Sequence, residues 1–268
     1  MLHATFAGGK SNRYRAYQGY RDDLAPRVHE EDEITSIVLG PLDFLPAASV
    51  QTFWLTVFEI CGLGEQDLIP QAPPNRSTVK FWDSRLADQG GVRIEPDGRV
   101  DLFWDNSGDV AIRKILLIEV KWRAQLSGTN QLHRQWQDYL TDDERPHAVH
   151  LFIGIETSAG LEAKSSPLGD VWNGKLVLIT WREIRAALAL LALRADALGR
   201  WALRADHFLK KVGIRRFLGF SDLSVGTVVA PVEHHSIFWN KFSTWAWLNL
   251  TRPIVSNPEA DEVFFKRQ

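Results

Sequence analysis

The sequence holds a single cysteine, Cys61, among 268 residues. An internal disulfide is therefore impossible, and so is a zinc site built from several thiolates. Long apolar runs are also missing. The longest, Ala186 to Leu193, is eight residues bracketed by Arg185 and Arg194, whereas a spanning helix needs about 20. The N-terminal residues contain no apolar stretch of the signal-peptide kind. Charge of one sign is not in excess either, since 31 Lys and Arg face 33 Asp and Glu, a formal net charge of -2. Any polyanionic partner is then held by a local patch and not by the whole surface. These absences lead to the expectation of a soluble, cytoplasmic chain with no membrane partner. Apolar residues at 45% and charged residues at 24% are ordinary globular usage, which excludes wholesale disorder.

Residues 1–25 mix Gly, Arg and Tyr and read as an N-terminal arm. Arg13, Tyr14, Arg15, Tyr17, Tyr20 and Arg21 interleave basic and aromatic side chains, which reads first as a solvated tail and second as a grip on a phosphate backbone. Helical spacing begins at Glu30 and is interrupted at Gly40-Pro41. A second helix after Pro46 carries the stripe Val50, Phe53, Trp54, Val57, Phe58 and Cys61, which makes the thiol a packing group. Strands are expected over Val79–Leu86 and Gly91–Glu95. The latter pairs with Arg99–Trp104 across a Pro96-Asp97-Gly98 turn. Ala111–Trp122 is apolar on both faces at Ile115–Ile118, as in a central strand. A helix over Asn130–Leu140, strands over Ala148–Ile155 and Lys175–Thr180, and a long helical region over Trp181–Val212, broken near Gly199 or just before it, complete the pattern. The fold class is α/β, a central mixed β-sheet flanked by helices. Residues 26–190 form the core and 191–268 a helical, Trp-rich C-terminal extension packed on it.

One stretch needs a chemical explanation. Glu119 and Lys121 share a strand face at the end of an otherwise apolar strand, and buried charge is costly unless paired or metal-bound. Asp101 lies in the preceding strand, 18 residues before Glu119. Two carboxylates and a lysine suit a hard divalent cation such as Mg²⁺ or Mn²⁺, which takes oxygen ligands and keeps waters. This set, Asp101 followed by Glu119-Val-Lys121, resembles the PD-(D/E)XK, or restriction-endonuclease-like, superfamily of metal-dependent nucleases. Two flanking helices strengthen the resemblance, Glu31-Asp-Glu-Ile-Thr35 upstream and Asn130-Gln-Leu-His-Arg134 downstream. It covers about Glu30 to Trp181. It implies a restriction-endonuclease-like core, catalytic roles for Asp101, Glu119, Lys121, Glu31 and Gln131, and metal ligation by Asp101, Glu119 and Glu31. Two alternatives stay open. Asp101 is preferred over Asp97 of the literal Pro96-Asp97 pair, and Gln131 over Gln135, whose spacing to Tyr139 matches a Gln-X-X-X-Tyr pattern in some relatives.

The function the resemblance implies is divalent-metal-dependent hydrolysis of phosphodiester bonds, in DNA first, in a setting such as restriction, phage defence or mobile-element processing. The competing reading is an inactive nuclease-fold module that binds nucleic acid or a partner protein. No target-reading or ATPase domain is visible, so specificity is expected from a homodimer or a partner. Between Trp181 and Phe220 nine basic residues face three acids. At 100° per residue Arg200, Arg204, His207, Lys211 and Arg215 form one stripe, provided the helix reaches that far, which nominates Arg200, Arg204, Lys211 and Arg215 for DNA contact. His147, His150, His234 and His235 lack metalloprotease spacing and read as ordinary histidines. Trp122 and Trp136 flank the motif and are the first tryptophans expected to touch a substrate.

Overall fold

Helix α1 (Glu30–Val38) ends where Gly40 and Pro41 open a 3-10 turn over Gly40–Phe44, since proline cannot continue the hydrogen-bond ladder. Helix α2 (Ala47–Ile60) buries the expected stripe of Val50, Phe53, Trp54, Val57 and Phe58. Cys61 caps it, half-buried. Burial, and then the charge of Glu183, push the thiol up to about 12, which keeps it protonated and inert. The computed structural model describes residues 30–64, 66–87, 91–105, 112–122, 126, 128 and 130–214. The chain divides into a unit of residues 1–217 and a unit of residues 218–268. The N-terminal arm, Arg215, His234, His235 and the part of the C-terminal extension from residue 215 onward, with Trp239, Trp245 and Trp247, lie outside the described residues.

Seven strands follow among the described residues: β1 (Arg76–Phe81), β2 (Arg85–Leu86), β3 (Arg93–Ile94), β4 (Gly98–Trp104), β5 (Ile112–Val120), β6 (Ala148–Gly154) and β7 (Leu176–Thr180). Five of them form one mixed sheet in the order β1-β4-β5-β6-β7. The β1–β4 and β4–β5 pairs are antiparallel, whereas β5–β6 and β6–β7 are parallel. Parallel neighbours need crossover connections. Helix α3 (Gln131–Arg134) with a π turn over Gln135–Tyr139 supplies one, and helix α4 (Ser158–Lys164) supplies the other. Helices α5 (Trp181–Leu191) and α6 (Ala197–Lys211) follow β7. The chain is thus an α/β fold with a five-stranded mixed sheet flanked by helices.

Alternation along the strands divides the core in two. Val100, Leu102, Leu116, Ile118, Val120, Leu151 and Ile153 meet the apolar faces of α2, α5 and α6. Ile115, Leu117 and Phe152 meet Leu132, Trp136, Tyr139 and Trp172 on the other face. Helix α6 belongs to the larger core: Trp201 packs edge-on against Phe53 and donates its indole N–H to the Val38 carbonyl at 3.1 Å.

Three expectations change. No hairpin joins β3 to β4, because β3 pairs with β2 and β4 pairs with β1. Gly98 is the first residue of β4, so the turn-forming triplet leads directly into a strand. The single strand expected over Val79–Leu86 is split at Trp82, which has φ 53°. The break in the long helical region does fall just before Gly199, at Ala192–Asp196, where the Asp196 carboxylate accepts from Gly199 N–H at 2.9 Å and caps α6. Helix α4 adds an element that periodicity does not announce; it buries only Gly160 and Ala163, too little apolar surface to mark a helical period.

Candidate functional site

The site lies at the C-terminal end of β5, where the sheet face that carries Ile115 and Leu117 continues into Glu119 and Lys121. Continuing the β4–β5 register past Gly98↔Ile118 sets Asp97 opposite Glu119. Asp97 Oδ2 accepts from Val120 N–H at 2.8 Å, which ties the carboxylate to the end of β5. The Lys121 backbone is held on two sides. Its N–H donates to the Ile153 carbonyl at 2.7 Å, and its carbonyl accepts from the Trp181 indole at 3.2 Å.

Lys121 Nζ bridges two acids, 2.6 Å from Glu119 Oε1 and 3.0 Å from Glu31 Oε1. The other oxygen of Glu31 accepts from Trp122 N–H at 3.0 Å. Helix α1 therefore reaches the site through Glu31. The acidic run there is not a solvated face, because Glu31 is half-buried and Asp32 and Glu33 are buried. Both Glu31 oxygens are engaged, so Glu31 is placed to hold Lys121 and the loop after β5.

Two glutamines close over Glu119. Gln131 Nε2 reaches Oε1 and Gln135 Nε2 reaches Oε2, each at 2.6 Å. They are four residues apart, so they lie on one face of the helical turn, and a π turn begins at Gln135. The choice between Gln131 and Gln135 dissolves, since both bind the same carboxylate.

Asp101 is the main correction. It lies on the Glu119 face but four residues further along β4, inside a separate ion network. Arg99 Nε donates to Asp101 Oδ2 at 2.9 Å and Arg113 Nη2 donates to Oδ1 at 2.7 Å. Arg99 also donates to Glu144 at 2.7 Å, and so does Arg85. Two arginines thus occupy the oxygens of Asp101. The aspartate brought to Glu119 and Lys121 is Asp97. The tryptophans expected at a substrate also prove to be core: Trp122 and Trp136 are each 4% exposed, and Trp122 packs edge-on against Trp181.

Electrostatics separates the two groups of acids. Burial, and then the Glu119 charge, push the Asp97 carboxyl well above the usual carboxylate range, against the pull of Lys121 and Val120 N–H. Burial also raises Glu119, opposed by Lys121 and Gln135. Lys121 is lowered by burial, but Glu119, Asp97 and Glu31 outweigh this and hold it above its ordinary value, as an ammonium. Asp101 and Glu144 move the other way. Burial raises both, yet the arginines more than offset it, lowering Asp101 and bringing Glu144 to about 2.

A pH prediction follows from that second pair. Carboxylates held below their unfolded values near 4 stabilise the fold above that pH, and the contribution is lost as pH falls through the folded values. The melting temperature is expected to drop from about pH 5 down to pH 2, and Glu144→Gln to be less stable at neutral pH with a shallower acid limb. Parallel limbs for both proteins in a Tm-against-pH series would contradict it.

The donor set of Asp97 and Glu119 is two hard carboxylates with neither sulfur nor imidazole, the chemistry that Mg²⁺ or Mn²⁺ takes. Among the described residues no group of three His, Cys, Asp or Glu side chains forms a ready metal cage. One or two carboxylates, completed by waters and substrate phosphate, is the usual complement for Mg²⁺. Asp97, held towards its protonated form by burial beside a second buried carboxylate, is the acid that a bound cation would return to its charged form.

On α6, Arg200, Arg204, His207 and Lys211 are exposed, opposite the buried face of Leu198, Trp201, Ala205 and Leu209. The helix ends at Lys211, so the stripe holds that far. No helix among the described residues is long and apolar enough to cross a membrane. Comparison with protein-family models, with curated proteins and with solved structures found no match to this chain.

Proposed function

We propose that the chain is a divalent-cation-dependent nuclease of the PD-(D/E)XK kind, with a restriction-endonuclease-like core, that hydrolyses phosphodiester bonds in DNA. The observation that carries this reading is the convergence of Pro96-Asp97 with Glu119-Val-Lys121, Asp97 and Glu119 lying across adjacent strands with Lys121 beside them. The motif order, the glutamine pair and the acidic helix all meet at that one point.

Asp97 and Glu119 would hold the cation. A cation held by these two carboxylates would supply the Lewis acidity that activates water and polarises a phosphodiester. The chain's own groups supply the rest. Gln131 and Gln135 present amide donors to Glu119, which keeps it an oriented acceptor. Lys121, charged and pinned by Glu31, faces the charge that develops on the phosphate. Its ammonium state favours charge stabilisation over proton abstraction, since a base would need the neutral amine. Incubating the chain with plasmid and linear DNA tests the proposal: cleavage is expected with Mg²⁺ or Mn²⁺ and none with EDTA. A chain that binds DNA but never cuts it in either metal would instead be the inactive binding module.

The exposed stripe of α6 is proposed as a phosphate contact. Arg200→Ala/Arg204→Ala is expected to weaken DNA binding across sequences and to flatten its salt dependence by about 0.9 log units per log unit of salt for each phosphate no longer neutralised. Mn²⁺ binding should not change. Fluorescence anisotropy at several salt concentrations reads both effects, and an unchanged slope would remove α6 from the interface.

A further inference from the structure

Behind Gln135 lies a buried histidine that the proposed chemistry does not use. His150, on β6, is fully buried, as is Trp172, and Gln135 is 1% exposed. The three form one chain of hydrogen bonds ending on Glu119. Trp172 Nε1 lies 3.0 Å from His150 Nδ1, His150 Nε2 lies 3.1 Å from Gln135 Oε1, and Gln135 Nε2 lies 2.6 Å from Glu119 Oε2.

The polarity of this chain is forced from its far end. An indole N–H can only donate, so His150 Nδ1 must accept. Burial, then the neighbouring His133, pull the ring down to about 3, and a neutral ring that accepts at Nδ1 carries its hydrogen on Nε2. That N–H must meet an acceptor, the carbonyl end of Gln135, which leaves the amide NH₂ for Glu119. The reversed amide would set two acceptors and two donors against each other where little water reaches. Trp136 stacks on the imidazole with planes 11° apart and fixes the ring orientation.

We propose that His150 and Trp172 are positioning residues that set which end of the Gln135 amide meets Glu119. The proposal rests on the nuclease reading for the role of Glu119, but the amide orientation can be read without metal or substrate.

The test uses the full chain. Nitrogen-15 NMR of the metal-free protein is expected to find His150 as the Nε2–H tautomer across pH 6–8 (about its ordinary value), with a slowly exchanging Gln135 amide. In His150→Phe that amide should lose its protection. In His150→Gln, whose side-chain amide restores a donor near the Nε2 position, it should recover. Calorimetric titration with Mn²⁺ alone should show affinity lowered on the order of 10-fold in His150→Phe and restored in His150→Gln. Trp172→Phe frees the tautomer and is the second variant, needed should His150→Phe fail to fold. An Nδ1–H tautomer, or a protected Gln135 amide in both His150→Phe and Trp172→Phe, would overturn the proposal. Wild-type protein that binds no Mn²⁺ while keeping this tautomer and amide protection would overturn the nuclease reading alone.

Discussion

Asp97→Asn and Glu119→Gln are each expected to lower the rate of DNA cleavage in Mg²⁺ by at least ~10³-fold, about 4 kcal/mol of transition-state stabilisation, without unfolding the chain. Each change removes one of the two carboxylates that face each other across β4 and β5. Asparagine keeps an oxygen for Val120 N–H, so the end of β5 stays tied. Stability should move the opposite way from activity. Both carboxyls are held above their ordinary values, so their share of stability is present below the unfolded value near 4 and is lost as pH rises through the raised folded values. Asp97→Asn removes that loss, and the metal-free variant is expected to melt above wild type at pH 7–8 (about three units or more beyond that unfolded value). Initial rates on supercoiled plasmid and thermal melts in EDTA measure the two effects. Wild-type cutting by both variants would leave the site without its chemistry.

Asp101→Asn should do the reverse, costing stability first. The substitution leaves Arg99, 2% exposed, with a neutral partner in place of a carboxylate that accepts two of its hydrogen bonds. Breaking a buried ion pair from one side typically costs about 3–5 kcal/mol. Glu144 still faces Arg99 at 2.7 Å, so the lower end of that range is expected in urea unfolding. Per folded molecule, Mn²⁺ affinity should stay near wild type. Loss of Mn²⁺ binding in a folded Asp101→Asn protein, with Asp97→Asn binding normally, would return the metal to Asp101.

The sequence contains both aspartates, and the physics of each explains why its pattern favours Asp101 over Asp97, the one that meets the end of β5. Pro-Asp-Gly is a turn signal, and the short β3 before it invites a hairpin. The strand partner of β4 comes instead from β1, 17 residues before Gly98 at its nearest end, which no local signal reports. Asp101 sits inside a strand and is buried, as expected. Its arginines are visible as well: Arg99 is two residues away on the same face, and Arg113 lies on the facing strand. A buried acid with two such partners is already neutralised. Glu119, Lys121, Glu31 and the glutamine helix are legible because motif spacing and strand or helix period agree there. His150 is not, since its part in the site depends on a parallel pairing of β5 with β6 and on an indole 22 residues downstream. The sheet strands β4 to β7 and helices α1 and α2 can be read from periodicity, whereas α4, with its small buried residues, cannot.

The Lys121–Glu31 contact spans 90 residues of chain and the Trp201–Val38 contact spans 163. Contacts of such separation form late, because the entropy of closing the intervening loop must be overcome before they reward it. Helix α1, with Glu31, and the short α3 and π turn, with Gln131 and Gln135, span only nine, four and five residues. That is too few to persist alone, so they too are completed by packing. A chain in which β4 has not yet docked on β5 therefore holds every residue of the candidate site and none of its geometry. Assembly of the candidate site is a property of the last stage of folding, and in a refolding chain it is expected to lag the return of helical signal.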